Sequence, residues 1–90
     1  MAEYSIDFAD RARISYDRLS SPLQRRIDHL IDRMRLSGLR SLRTKKIPDY
    51  PDMYVLRATQ DIRVILAKEE HAITVLDIVT RDKLFGFGRF

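Results

Sequence analysis

The chain has no cysteine, and only three glycines and three prolines among its 90 residues. Without cysteine there is no disulfide framework, no thiolate metal site and no cysteine nucleophile. Few Gly and Pro, with 44% hydrophobic and 33% charged residues, exclude a disordered tail and a collagen-like chain. No apolar run approaches the roughly 20 residues that a membrane helix needs. The opening MAEYSIDFAD is acidic where a signal peptide would be basic. A cytoplasmic protein with no membrane partner is therefore expected. There is no Gly-rich phosphate loop, no HExxH and no EF-hand pattern, so neither a metal nor a cofactor is expected. A Ser-His-Asp triad would have to use His29, on the polar side of a helix, or His71, in a turn; both read as solvated. Asp28 and Asp32 share a helix face, but Arg25 and Arg35 stand near enough to make ordinary surface pairs there.

Lysine is also scarce: 4 against 13 arginines, in a chain of net charge +4. Guanidinium groups match phosphate bidentately and stack on flat rings, so an Arg-rich basic domain leans toward nucleic acid or an acidic protein partner.

The periodicities predict one α+β domain over residues 1–90. Tyr4, Ile6 and Phe8 alternate with Ser5 and Asp7, as in a half-buried strand. Ala9, Ala12, Tyr16 and Leu19 then fall on one helical face. A second helix is expected from Ser21 as cap, with Pro22 in the first helical position and Gln24 closing a capping box. Its apolar stripe is Leu23, Ile27, Leu30, Ile31 and Met34, and Gly38 is its stop. Residues 40–51 read as loop with at most one short strand over 45–47. Strands are expected over 53–57, 62–67 and 73–79, joined by breaks of hairpin length. The basic, aromatic tail 81–90 reads as an irregular segment on the sheet. The order is β-α-α-β-β-β: an N-terminal strand, then an antiparallel helical hairpin packed on one face of a small, mainly antiparallel sheet. The other face is left for function.

Arg63 interrupts an otherwise apolar central strand, where a charge is costly unless it is paired or faces an open groove. Arg57 ends the preceding strand and Arg81 follows the last one, so a meander brings the three toward one face as a phosphate site. The alternative is that Arg63 pairs with Asp77 across the ladder and Arg57 with Asp61. Residues 33–48 add Arg33, Arg35, Arg40, Arg43, Lys45 and Lys46 without an acid. Such a run is either a solvated helix end or an electrostatic track for a nucleic-acid backbone. Phe85, Phe87 and Phe90, interleaved with Lys83 and Arg89, would either stack bases or close the sheet edge.

With these residues in view the chain resembles the RelE/ParE toxin superfamily of bacterial toxin–antitoxin systems over nearly its whole length. The resemblance lies in YSIDF, LSSPLQRRI, the basic LRTKKI, MYVLRATQDIRVILA and ITVLDIVTRDKLF. It implies a type II toxin: a ribosome-dependent mRNA endonuclease that promotes 2′-OH attack on the scissile phosphate, or alternatively a non-catalytic DNA gyrase inhibitor or a degenerate antitoxin-binding member. Carried over by position, Arg63 and Arg81 match the arginines that neutralise the phosphate in the nucleases. Arg43, Lys45, Lys46, Arg57, Lys83 and Phe87 are the expected RNA-binding residues. The partners implied are the ribosome, mRNA and a cognate antitoxin with an acidic amphipathic segment. Two departures stand out. The nucleases place a Tyr in the tail where Phe85 or Phe87 stands here, and lysines in the strand that here carries Met53 and Val55.

Overall fold

The computed structural model describes residues 3–85. Its elements are β1 (Ser5–Phe8), α1 (Asp10–Asp17), α2 (Ser21–Ser37), β2 (Thr44–Lys46), β3 (Met53–Arg57), β4 (Ile62–Lys68), β5 (Ala72–Thr80) and α3 (Arg81–Phe85). The strands form one sheet in the order β1-β5-β4-β3-β2. β2 to β5 run as an antiparallel meander, and β1 adds parallel to β5 with Ile6 opposite Ile73. The short strand allowed near residue 45 is β2, on the outer edge. The start of the tail, expected to be irregular, is instead a single helical turn, α3.

Period-2 alternation separates two apolar layers. On one side Leu56, Val64, Leu66, Ile73, Val75 and Ile78 of the sheet are buried against Ala12 of α1 and Ile27, Leu30, Ile31 and Met34 of α2. Leu66 is wholly inaccessible to solvent, so truncating it to Ala removes ~2–5 kcal/mol of stability. On the opposite face Ile47, Val55 and Val79 form a smaller buried cluster flanked by Met53 and Ile65. This second face is the one not covered by α1 and α2, and it carries Arg57 and Arg63.

The helices are tied locally. Tyr16 donates its hydroxyl to Asp28 at 2.7 Å and packs edge-on against Phe8. The expected capping box does not form: the cap residue is Ser20, without a side-chain bond, and Gln24 donates to the Tyr16 carbonyl at 3.0 Å, bracing α2 against the end of α1. At the other end of α2, Gly38 adopts φ 63° and donates its N–H to the Met34 carbonyl. A β-carbon there would sit 2.8 Å from the Tyr4 ring. Glycine is therefore required twice over, for the left-handed backbone and for the close approach.

Between β4 and β5 the register shifts by one residue: Ile65 faces Asp77, while Leu66 faces Val75. At this bulge the buried Asp77 carboxylate has one local donor and one from α1. Its Oδ1 accepts from the Ser15 hydroxyl of α1 at 2.9 Å and from the Ile78 N–H at 2.8 Å. None of the described helices is long and apolar enough to cross a membrane.

Candidate nucleic-acid interface

A groove of about 410 Å³ opens on the sheet face away from α1 and α2, lined by Arg43, Thr44, Lys45, Val55, Arg57 and Arg63. Sheet pairing assembles it. Arg57 stands directly opposite Arg63 across β3 and β4. The Arg57 N–H donates to the Arg43 carbonyl at 3.1 Å, drawing Arg43 to the same end. Lys45 stands opposite Val55 across β2 and β3. Four cations therefore share one groove, and among the described residues no carboxylate lines it.

Like charges directly opposite on a ladder repel. The arginine alternatives read from spacing fail here. Asp77 is engaged with Ser15 and Ile78 rather than with Arg63. Arg35–Asp32 and the loose His71–Glu70 contact are ion pairs, and neither Arg57 nor Arg63 enters one among the described residues. Arg63 is held instead by main-chain oxygens. Its Nη1 donates to the carbonyls of Thr59 at 2.7 Å, Gln60 at 3.0 Å and Ile62 at 3.2 Å. Burial is the largest influence lowering the Arg63 pKa, followed by the charges of Arg57 and Arg81, with Asp61 partly opposing them. An arginine remains cationic under such a shift. Arg57 stands directly across the ladder from Arg63, and a bound anion would relieve the repulsion between them.

Arg81 opens α3 at the far end of β5, and its N–H donates to the Asp61 carbonyl at 2.7 Å. Its side chain is exposed and makes a further interaction of its own. Lys83 is exposed on α3, outside the groove lining. Lys46 departs from its neighbour Lys45: it stands opposite Tyr54, whose ring packs toward the helices, and it lines a separate hollow of about 360 Å³ with residues 47–51. Phe87 lies outside the described residues. His29 and His71 are exposed, Asp32 pairs with Arg35 and Asp28 accepts from Tyr16. No metal-ligating cluster occurs among the described residues.

Two features escaped the sequence reading. The main-chain cradle of Arg63 has a sequence signal, a Thr opening the Thr59-Gln60-Asp61 turn. The approach of Arg43 to Arg57 has none, because it depends on β2–β3 pairing.

No protein-family description matches the sequence, and no curated protein does. Solved structures do match. The RelE–RelB toxin–antitoxin complex of Methanococcus jannaschii aligns at TM-score 0.77 and 18% identity, over 92% of this chain and 99% of that one. The Escherichia coli DinJ–YafQ toxin–antitoxin complex gives TM-score 0.76 and 10% identity over 93% and 99%. The YoeB dimer of Staphylococcus aureus gives 0.73 and 15% over 87% and 97%. The chain has the fold of the RelE/ParE-superfamily toxins, as its sequence resemblance implied.

Proposed function

We propose that the chain is the toxin of a type II toxin–antitoxin pair and cleaves mRNA on the ribosome in the cytoplasm. The observation that carries this reading is the groove of four cations, without an acid among the described residues, on the open sheet face of a RelE-type fold. Such a groove holds a polynucleotide backbone by charge, and fixed guanidinium groups stabilise a phosphorane whose charge grows as it forms.

In the proposed reaction the ribose 2′-oxygen attacks the adjacent phosphorus and loses its proton to a base. The bond to the 5′-oxygen breaks, leaving a 2′,3′-cyclic phosphate, and the departing 5′-oxygen takes up a proton. Arg63 and Arg81 neutralise the phosphorane dianion, which carries one negative charge more than the diester phosphate. Arg43 and Arg57 grip the flanking phosphates. Lys45, an ammonium at the groove edge, supplies charge or a proton to the leaving oxygen more readily than it would act as a base. The ribosome supplies further alignment of the message, and orientation of this kind accounts for much of the barrier reduction in phosphoryl transfer.

The partner is a cognate antitoxin. The RelE and YafQ structures are complexes with antitoxins, and an acidic amphipathic segment suits the cationic groove and the apolar cluster beside it. Val55, an uncharged residue in the groove floor, favours a second reading, a gyrase inhibitor without hydrolytic chemistry. Pulse incorporation of labelled methionine and thymidine, minutes after induction without the antitoxin, separates the two. An early fall in methionine alone, abolished by Arg63→Ala and by Arg81→Ala, is the expected result. An early fall in thymidine assigns the chain to gyrase and removes the catalytic roles.

A further inference from the structure

The β3–β4 turn uses every main-chain oxygen it has. Across residues 58–62, the Ala58 carbonyl accepts from Arg26 Nε of α2 at 3.0 Å. Those of Thr59 and Gln60 accept from Arg63 Nη1. That of Asp61 accepts from the Arg81 N–H. That of Ile62 accepts from the N–H groups of Ala58 and Thr59 and, at 3.2 Å, from Arg63. The two hydrogens on Nη1 are thus shared among three carbonyls that must all point inward. What holds the turn in that shape is a side chain. Thr59 Oγ1 accepts from the N–H of Ile62 at 3.1 Å and of Asp61 at 3.3 Å, folding the backbone back over its own hydroxyl.

We infer that Thr59 is a positioning residue, whose hydroxyl sets the turn that orients the Arg63 guanidinium and anchors the start of α3 at Arg81. The inference rests on the reading of those two arginines as the phosphate-binding pair. Arg63 Nη1 is engaged by the protein, while its Nη2 and Nε make no hydrogen bond among the described residues. The hairpin therefore fixes one edge of the guanidinium and leaves the remaining donors to the ligand. Pre-orientation of this sort removes an ordering cost from phosphate binding. It also explains how a cation is kept on a central strand opposite Arg57 without a carboxylate partner among the described residues.

Thr59→Val keeps the shape and removes the acceptor; Thr59→Ser keeps the acceptor. In the valine variant, amide exchange at Asp61 and Ile62 should accelerate and the Arg63 Nε–Hε NMR signal should move or broaden. The amides of Leu66 and Val75 should stay protected, showing an intact core. Affinity for a short fluorescent RNA should fall roughly two- to tenfold, the worth of about one neutral hydrogen bond. It should fall no further when Arg63 is already Ala, and Thr59→Ser should restore both signal and affinity. The inference is overturned if Thr59→Val leaves the Arg63 signal in place, or if it weakens RNA binding equally in the Arg63→Ala background. If the parent chain binds no RNA, the functional reading fails, and the Arg63 signal alone still decides the role of Thr59.

Discussion

Removing the Arg57 side chain should change the salt dependence of RNA binding in a calculable way. Four cations line the groove, and each phosphate neutralised on a single strand contributes a slope of about −0.7 to log K against log salt. With three phosphates met, one by Arg63 together with Lys45 and one each by Arg43 and Arg57, the parent slope is about −2.1, so affinity falls roughly 20-fold between about 50 and 200 mM salt. Arg57→Ala should reduce the slope to about −1.4 and the loss to roughly 7-fold. Arg57 is the suitable probe because its exposed guanidinium has no hydrogen bond or ion pair among the described residues and faces Arg63, a like charge. Its removal should leave unfolding free energy within about 0.5 kcal/mol of the parent or slightly raise it. The assay is fluorescence anisotropy of a labelled single-stranded RNA titrated at several salt concentrations, with urea unfolding alongside. A parent slope shallower than about −1, or one that Arg57→Ala leaves unchanged, refutes the four-cation groove as the binding surface.

Three further predictions concern the frame behind the groove. Ser15→Ala removes one of the two donors to the buried Asp77 carboxylate and should cost about 1–3 kcal/mol in urea unfolding, toward the lower end because Ile78 N–H remains. Gly38→Ala puts a β-carbon 2.8 Å from the Tyr4 ring at φ 63°; it should destabilise by more than about 1 kcal/mol, and adding Tyr4→Ala should recover only the steric part. The Tyr16 hydroxyl donates to Asp28, which raises its pKa above the usual 10.0, with burial and the charges of Asp28 and Asp17 adding to the shift. A raised folded-state value means this stabilisation is complete below pH 10 and disappears as pH rises through the shifted value. The stability difference between the parent and Tyr16→Phe should therefore shrink on going from about pH 9 to pH 11 in urea titrations.

The local features were readable because period and punctuation encode them. Ile6 and Phe8 alternate, Ile27 to Met34 recur at helical spacing, and Gly38 stops α2 where its φ requires it. The convergence of Arg57 and Arg63 followed from hairpin spacing. What escaped was relational. The parallel pairing of β1 with β5 joins residues nearly 70 positions apart, which no local pattern records. Lys45 and Lys46 look alike as a basic pair, yet alternation sends one to the groove and the other to the opposite face. The bulge at Asp77 exists only relative to β4, so an ion pair with Arg63 was as consistent with the spacing as the bonds to Ser15 and Ile78 that form. Ser21 and Gln24 fit a capping box, but tertiary contact with Tyr16 decides where the Gln24 amide goes. The short α3 is one turn, too brief to show a period.

The most direct test of the central claim is the mapping of RNA 5′ ends on ribosomes programmed with a defined message and given the purified chain. The account predicts new ends inside the coding region, dependent on ribosomes, with a 2′,3′-cyclic phosphate on the upstream fragment, and their loss with Arg63→Ala or Arg81→Ala. An intact message at protein concentrations that arrest growth, or cleavage that survives both substitutions, would contradict it.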